Sequence, residues 1–214
     1  MNVGILGTGN LARALGRLWV DAGHSVLVTG RDPAHVAEAA EKIGAVPAES
    51  ADLGSRVDVV VVAVAWSGLV EALTLVGADR GALAGTTVVD CTNPVDYATG
   101  EVLGPAAELV ARTATGARVV KALHLFAGAS WPWTGPAEQA PVVAICGDDP
   151  EALDRTSTLV EDLGGRAGVV GGLGAARQLE EAAGFVMRVV GSGHNPRFAV
   201  PDVDPALLRV PAAG

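Results

Sequence analysis

The residues best suited to chemistry stand near the beginning of the chain, from residue 7 to residue 12. Their G-x-G-x-x-A spacing follows an apolar run and opens an amphipathic segment, which predicts a strand, a tight turn and a helix. Gly7 would allow the turn, Gly9 would let the backbone approach a diphosphate, and Ala12 would let the helix lie close to the sheet. The N–H groups and positive dipole end of such a helix attract phosphate. The candidate dinucleotide-binding residues are Gly7, Thr8, Gly9, Asn10 and Leu11.

The same glycine pattern also occurs as a purely structural turn, so the sequence around it decides between the two interpretations. Leu15, Leu18 and Trp19 recur at helical spacing, and Gly23 ends the predicted helix. A second apolar strand follows at residues 25–28. Together these segments form a β-α-β unit of ordinary length, which favours nucleotide binding.

The turn after that second strand, Thr29-Gly30-Arg31, bears on which nicotinamide cofactor binds. An NAD site places an acidic residue about 20 residues beyond the glycines, where it binds the ribose 2′-hydroxyl. Here the guanidinium of Arg31 stands near that position, and it suits a 2′-phosphate. We therefore predict NADP(H), bound in part by Thr29, Gly30 and Arg31. In the alternative, Arg31 is solvated and Asp32, a predicted helix cap before Pro33, binds the 2′-hydroxyl.

Strands and helices alternate along the remainder of the chain, which predicts an α/β fold with a doubly wound parallel sheet of the Rossmann type. We predict a dinucleotide-binding domain over residues 1–146. Residues 147–214 then form a small C-terminal α/β extension that completes the fold and the second-substrate site. Further strands are predicted at residues 58–64, 87–90, 118–122, 141–146 and 168–170. Helices are predicted at residues 67–76, 105–111, 150–163 and 175–190.

Composition and charge narrow the class of protein. Half of the 214 residues are hydrophobic, and the formal net charge is −9, which argues against nucleic acid or an anionic membrane as a partner. Cys91 and Cys146 lie in apolar strand-like segments and are expected to be buried, reduced thiols. The apolar run at residues 57–70 is too short and too interrupted for a membrane span, and the first residues already form a strand rather than a signal peptide. We predict a cytoplasmic protein that acts on a small molecule.

Several short segments, in order and over nearly the whole chain, resemble the deazaflavin (coenzyme F420):NADP oxidoreductase family. The resemblance implies direct hydride exchange between NADPH and a deazaflavin stacked on its nicotinamide, a reaction that depends on positioning more than on catalytic side chains. It also implies a homodimer. The segments are Gly7-Thr8-Gly9-Asn10, Thr29-Gly30-Arg31, Ala65-Trp66 and those at residues 119–124, 146–149 and 172–180.

The resemblance also assigns residues near the reacting rings. His124, at the end of the fifth predicted strand, would hydrogen-bond the deazaflavin and stabilise charge that develops on it; otherwise it merely caps the strand. Ala65 and Trp66 would form a wall beside the nicotinamide, although Trp66 also suits a core position. Independently of the resemblance, Asn93 follows the fourth predicted strand, before Pro94, and is expected to touch the nicotinamide unless it belongs to an ordinary Asn-Pro turn.

Two other functions stay open. An NADPH-dependent reductase of a small carbonyl or imine would use Lys121 as proton donor, but such enzymes usually add a large helical domain, and only residues 147–214 follow the sixth strand. An NADP-sensing module without turnover would carry the same glycine motif. The sequence shows no nucleophile elbow and no closely spaced metal-binding set, so we predict no metal.

Two further features carry local predictions. Trp131 and Trp133 lie in the predicted loop at residues 123–139, on the second-substrate side, where they would form an aromatic lid or narrow the site. Arg177 and Glu180 are three residues apart on a predicted helix, a spacing that favours a salt bridge.

Overall fold

The computed structural model describes residues 1–201, 203 and 204. Within them, short strands alternate with helices along the chain. The strands are β1 (Asn2–Leu6), β2 (Ser25–Thr29), β3 (Val46–Pro47), β4 (Val59–Val62), β5 (Thr87–Asp90), β6 (Val95–Asp96), β7 (Glu101–Val102), β8 (Arg118–Lys121), β9 (Val142–Gly147) and β10 (Arg166–Val169). The helices are α1 (Asn10–Asp21), α2 (Pro33–Ile43), α3 (Leu53–Arg56), α4 (Leu69–Leu75), α5 (Ala106–Thr113), α6 (Pro150–Glu161) and α7 (Ala176–Gly191).

One sheet of eight strands, in the order β10-β9-β8-β5-β4-β1-β2-β3, forms the centre of the fold. The six strands from β8 to β3 are parallel, and helices cover both faces, so the predicted Rossmann-type fold is confirmed. β4 consists of four fully buried valines, as expected of a strand with both faces covered. The strand order reverses between β1 and β4, and in such sheets ligands bind at the carboxyl ends of the strands beside this point.

The predicted parallel sheet contains one antiparallel pairing. β9 is antiparallel to β8, and β10 is parallel to β9. The connection at residues 122–141 contains two short 3₁₀ turns and no α-helix. Parallel neighbours are usually joined through a crossover helix, which this connection lacks, and that agrees with the antiparallel pairing. The domain boundary between residues 146 and 147 stays a prediction, and residues 202 and 205–214 of the predicted extension lie outside the described residues.

A small hairpin of β6 and β7, which the sequence did not predict, packs on α7. The Asp96 carboxylate accepts hydrogen bonds from the backbone N–H groups of Ala98 and Thr99, and Gly100 follows with φ of 69°. A Cβ on Gly184 would lie 2.9 Å from the Gly100 oxygen, so the two backbones are in direct contact. An aspartate followed four residues later by glycine is the local signal for this turn.

A buried ionic network joins the sheet to two helices. The Lys121 ammonium at the end of β8 lies 2.9 Å from Asp90 Oδ2 and 3.1 Å from Glu180 Oε1, and all three side chains are buried. The Glu180 carboxylate also accepts hydrogen bonds from the N–H groups of Ala106 and Ala107, at 3.2 and 2.9 Å. β5 and β8 are thereby fixed relative to α5 and α7.

This network corrects a prediction about one of its members. The side chain of Lys121 is wholly enclosed. Glu180 does not pair with Arg177, since Arg177 instead bonds Glu181 at 3.0 Å on the exposed side of α7. The spacing of residues along a helix cannot reveal that the partner of Glu180 is a lysine from a distant strand, Lys121 of β8.

Replacing Lys121 by methionine should destabilise the protein by about 3–5 kcal/mol, because Asp90 and Glu180 would stay buried without their cation. Urea unfolding measures this change. Lys42→Met is the matched control, since Lys42 pairs with Glu38 on the exposed face of α2 and its loss should cost under about 1 kcal/mol. Equal losses in the two variants would contradict the importance of the buried network.

Candidate functional site

A cleft runs along the carboxyl ends of the parallel strands. Its narrow part, of about 270 Å³, lies between the β1–α1 turn, the β2–α2 turn and the segment after β4. Its wide part, of about 700 Å³, continues from that segment to the ends of β5 and β8 and to α7. The residues that line both parts are Gly9, Ala63, Val64, Ala65 and Ser67.

The two glycines of the β1–α1 turn have different roles. Gly7 has φ of 135°, and a Cβ there would lie 2.3 Å from the Ala63 oxygen, so the turn itself requires glycine. Gly9 has ordinary extended angles, and a Cβ there would meet no atom within 4 Å. It opens on the cleft as the N-cap of α1, and no side chain caps that helix end. An open, uncapped N-terminus suits a diphosphate.

The β2–α2 turn lines the other side of the narrow part. Gly30 and Arg31 face it, and Arg31 Nη1 lies 2.6 Å from Glu71 Oε2, with both side chains exposed. Asp32 caps α2, as predicted, by accepting a hydrogen bond from Ala34 N at 2.8 Å. The hydrogen bonds from the backbone N–H groups of Ala34 and His35 lower the pKa of Asp32. The carboxylate is thus engaged in the helix cap, which disfavours the alternative that it binds a ribose 2′-hydroxyl.

Thr29 is the one predicted site residue that lines neither part of the cleft. Its hydroxyl lies 2.7 Å from Ser50 Oγ, and its side chain is buried. Its carbonyl accepts the Gly7 N–H at 2.9 Å. Thr29 therefore supports the glycine turn from behind.

The wide part brings together the predicted residues Asn10, Leu11, Trp66, Asn93 and His124. Trp66 is half-buried, and a Cβ on Gly104 would lie 3.0 Å from its ring, so the ring packs against the segment before α5. Sequence reasoning missed the remaining walls, which come from the hairpin, from the loop after β8 and from α7. They include Tyr97, Leu103, Leu125, Phe126, Ala183, Val186 and Met187.

His124 is 4% exposed and keeps one ring nitrogen unpaired. Its Nε2 lies 2.9 Å from the Leu179 carbonyl oxygen, which can only accept, so Nε2 carries the proton. Nδ1 has no hydrogen-bond partner. Burial, and then the charge of Lys121, lowers the pKa of His124 to about 4. The imidazole is therefore neutral near pH 7, and Nδ1 is an acceptor.

The tryptophans of the predicted lid do not line the cleft, which corrects that prediction. Trp131 is 7% exposed and packs in the core, where a Cβ on Gly165 would lie 3.1 Å from its ring. The Trp133 indole N–H donates to the Pro136 oxygen at 3.1 Å. Trp131 does support the cleft from behind, because its ring centre lies 5.1 Å from that of Phe126.

The cysteines, the possible metal ligands and the lengths of the helices bear on three further predictions. Cys91 and Cys146 are buried free thiols, as expected, and burial raises the pKa of Cys146 to about 11. In residues 1–201, 203 and 204, no group of three or more His, Cys, Asp or Glu is arranged to hold a metal ion. Across the same residues, no helix is both long enough and apolar enough to cross a membrane.

Alanine substitutions at Gly7 and Gly9 should have different effects, one on stability and the other on NADPH binding. Gly9→Ala should fold with the stability of the wild type, since its Cβ meets no protein atom, yet bind NADPH at least about tenfold more weakly, since the methyl group enters the cleft. Gly7→Ala should be destabilised, because it forces a positive φ on alanine and a contact with the Ala63 oxygen. Thermal unfolding and equilibrium NADPH titration measure the two effects. Unchanged NADPH affinity in Gly9→Ala would contradict the assignment.

Comparison with known proteins gives one family. Residues 2–94 match the family described as NADP oxidoreductase coenzyme F420-dependent. A solved structure from Arthrobacter sp. FB24, of a proposed F420-dependent NADP-reductase, is 28% identical, covers 90% of this chain and 95% of its own, and has a TM-score of 0.76.

Two further similarities involve longer proteins. The metalloreductase STEAP3 of Rattus norvegicus is 32% identical over 179 residues, which are 83% of this chain, and the chain spans 35% of that protein's length. A reductive aminase from Aspergillus terreus, solved with NADPH and ethyl-5-oxohexanoate, is 20% identical over 90% of this chain and 63% of its own, with a TM-score of 0.67. That likeness shows a shared fold.

The family and the solved structure from Arthrobacter agree with each other and with the resemblance noted in the sequence. The matched segment holds the glycine turn, Arg31 and Trp66, and the fold agreement extends over most of the chain. The match of residues 2–94 and the structure from Arthrobacter therefore confirm the predicted resemblance to the coenzyme F420-dependent NADP oxidoreductases, a family of NADP-dependent oxidoreductases.

Proposed function

We propose that this protein transfers a hydride between NADPH and coenzyme F420, a deazaflavin. The observation that carries the proposal is the continuous cleft, which joins the uncapped N-terminus of α1 to a wide, largely apolar space ending at His124. An extended dinucleotide with a second ring beside its nicotinamide needs a site of this form. The family of residues 2–94 supports both substrates.

The narrow part would hold the phosphates. The N–H groups at the start of α1, from Asn10 and Leu11, would bind the diphosphate beside Gly9. Arg31 would bind the 2′-phosphate through its guanidinium, exchanging its partner Glu71 for a more highly charged group. An exposed ion pair is worth little, about 0–1 kcal/mol, so this exchange costs little. NADPH is accordingly preferred to NADH.

The wide part would hold the two rings in contact and exclude water. NADPH supplies the hydride when bound. The walls formed by Trp66, the hairpin residue Leu103 and the α7 residues Val186 and Met187 are apolar, which favours stacked aromatic rings and keeps solvent from the reacting carbons. Transfer between carbons held in contact requires positioning above all.

His124 would orient the second ring by a hydrogen bond. Because Nε2–H donates to the Leu179 oxygen and the ring is neutral, Nδ1 can accept a hydrogen bond and cannot donate one. The proposal thus keeps His124 at the substrate but changes the role that the family resemblance implied. Stabilisation of developing negative charge would need a donor at this position.

Of the alternatives, reduction of a carbonyl or imine with Lys121 as proton donor has little support. Lys121 is fully buried, is bonded to two carboxylates and does not line the cleft. An NADP-sensing module would bind NADPH without consuming it, so measurement of NADPH consumption distinguishes it from the proposed enzyme. The homodimer and the cytoplasmic location stay predictions.

The test is the loss of NADPH absorbance when purified protein, NADPH and coenzyme F420 are mixed, with NADH in parallel. We expect loss that requires the deazaflavin and is much slower with NADH. His124→Ala should turn over roughly tenfold or more slowly while NADPH affinity is kept. His194→Ala, at an exposed histidine after α7, is the matched control and should match the wild type. NADPH that binds but is not consumed would overturn the proposal.

A further inference from the structure

Among the described residues that line the narrow part of the cleft, Arg31 has the one charged side chain. The rest of the β2–α2 turn supplies no second cation, because Gly30 has no side chain and Asp32 is acidic. The hydroxyl of Thr29 is buried and lies 2.7 Å from Ser50 Oγ. A 2′-phosphate bound at this turn therefore depends on Arg31 for its ionic contact.

The guanidinium of Arg31 is already engaged by a carboxylate from another wall of the cleft. Its Nη1 lies 2.6 Å from Oε2 of Glu71, which belongs to the first turn of α4. Gly68 and Ala72, on either side of Glu71 along the chain, line the narrow part. The ion pair thus joins the β2–α2 turn to α4, and Arg31 can form a bidentate contact with a phosphate only by leaving Glu71.

The ion pair is weak enough for a phosphate to replace Glu71. The side chains of Arg31 and Glu71 are 63% and 65% exposed, so water and salt screen their attraction. A phosphate carries more negative charge than a carboxylate and offers three oxygens to the guanidinium. Each binding event nevertheless has to break the existing pair, so the carboxylate opposes the phosphate whenever a cofactor enters.

We propose that Glu71 is a specificity-determining residue of the cofactor site. Its carboxylate competes with the 2′-phosphate of NADPH for Arg31 and thereby lowers the affinity for NADPH. NADH has no 2′-phosphate, so it binds without separating Arg31 from Glu71. Glu71 therefore limits the preference for NADPH that Arg31 alone would give. The inference rests on the NADPH site of the proposed function and does not depend on the second substrate.

Equilibrium titration of NADPH and of NADH into the full chain tests the competition. The variants are Glu71→Gln, Arg31→Gln and the double variant, since glutamine removes the charge of Glu71 and nearly keeps its shape. Glu181→Gln is the matched control. Glu181 is an exposed glutamate that also pairs with an arginine, Arg177, and it lines neither part of the cleft.

We expect Glu71→Gln to bind NADPH roughly twofold to fivefold more tightly than the wild type, which is the gain from removing an exposed competing ion pair. Its affinity for NADH should be unchanged, and the control should match the wild type with both nucleotides. Arg31→Gln should bind NADPH roughly tenfold or more weakly. In the double variant the gain from Glu71→Gln should shrink toward none, because no guanidinium is left to compete for.

Unchanged or weaker NADPH binding by Glu71→Gln overturns the competition. So does a gain of the same size for NADH, or one that persists in full without Arg31, because the carboxylate would then repel any nucleotide. A wild type that binds NADPH and NADH equally overturns it as well. If NADPH binds as expected but F420 is not reduced, the proposed function falls and the competition at Arg31 stands.

Discussion

The buried ammonium of Lys121 is the constraint on which the cleft depends. Placed between Asp90 and Glu180, it fixes the ends of two central strands against α5 and α7. A cation and two carboxylates removed from water are stable only when each is paired and hydrogen-bonded, and here the start of α5 and the Thr92 carbonyl supply the remaining bonds. Because α7 is anchored in this way, its outer face can form a wall of the cleft.

The same network also fixes the orientation of the His124 imidazole, through the turn of α7 that contains Leu179 and Glu180. The carbonyl of Leu179, next to Glu180, accepts a hydrogen bond from Nε2–H of His124 and so determines which ring nitrogen faces away from α7. The glycine turn at the other end of the cleft acts independently, through backbone geometry and an uncapped helix. The site thus combines a phosphate-binding end, built from local sequence, with a ring-binding end, built from long-range contacts.

That division explains what could be predicted from the sequence. The β1–α1 turn, the Asp32 cap and the buried strand β4 follow from short patterns, and the structure has them where they were expected. The antiparallel direction of β9 and the burial of Trp131 depend on partners distant in the chain, which periodicity does not reveal.

The ring-binding end shows the same limit. His124 was named from the family resemblance and Asn93 from its place after a strand. The contribution of α7 was not predicted, because the apolar face of a helix looks the same in sequence whether it covers a core or a cleft. Glu180 was assigned to its helical neighbour Arg177 since nothing local indicates a lysine from β8.

The fate of a deuterium label shows whether a hydride passes directly between two rings held in one cleft. The nicotinamide carbon that donates the hydride carries two hydrogens. NADPH with deuterium in place of one or of the other would be reacted with F420 in ordinary water. We expect that, from one of the two labelled forms, the reduced deazaflavin recovered after a single turnover carries the deuterium. Reduced deazaflavin that contains only hydrogen from water with both forms would contradict it.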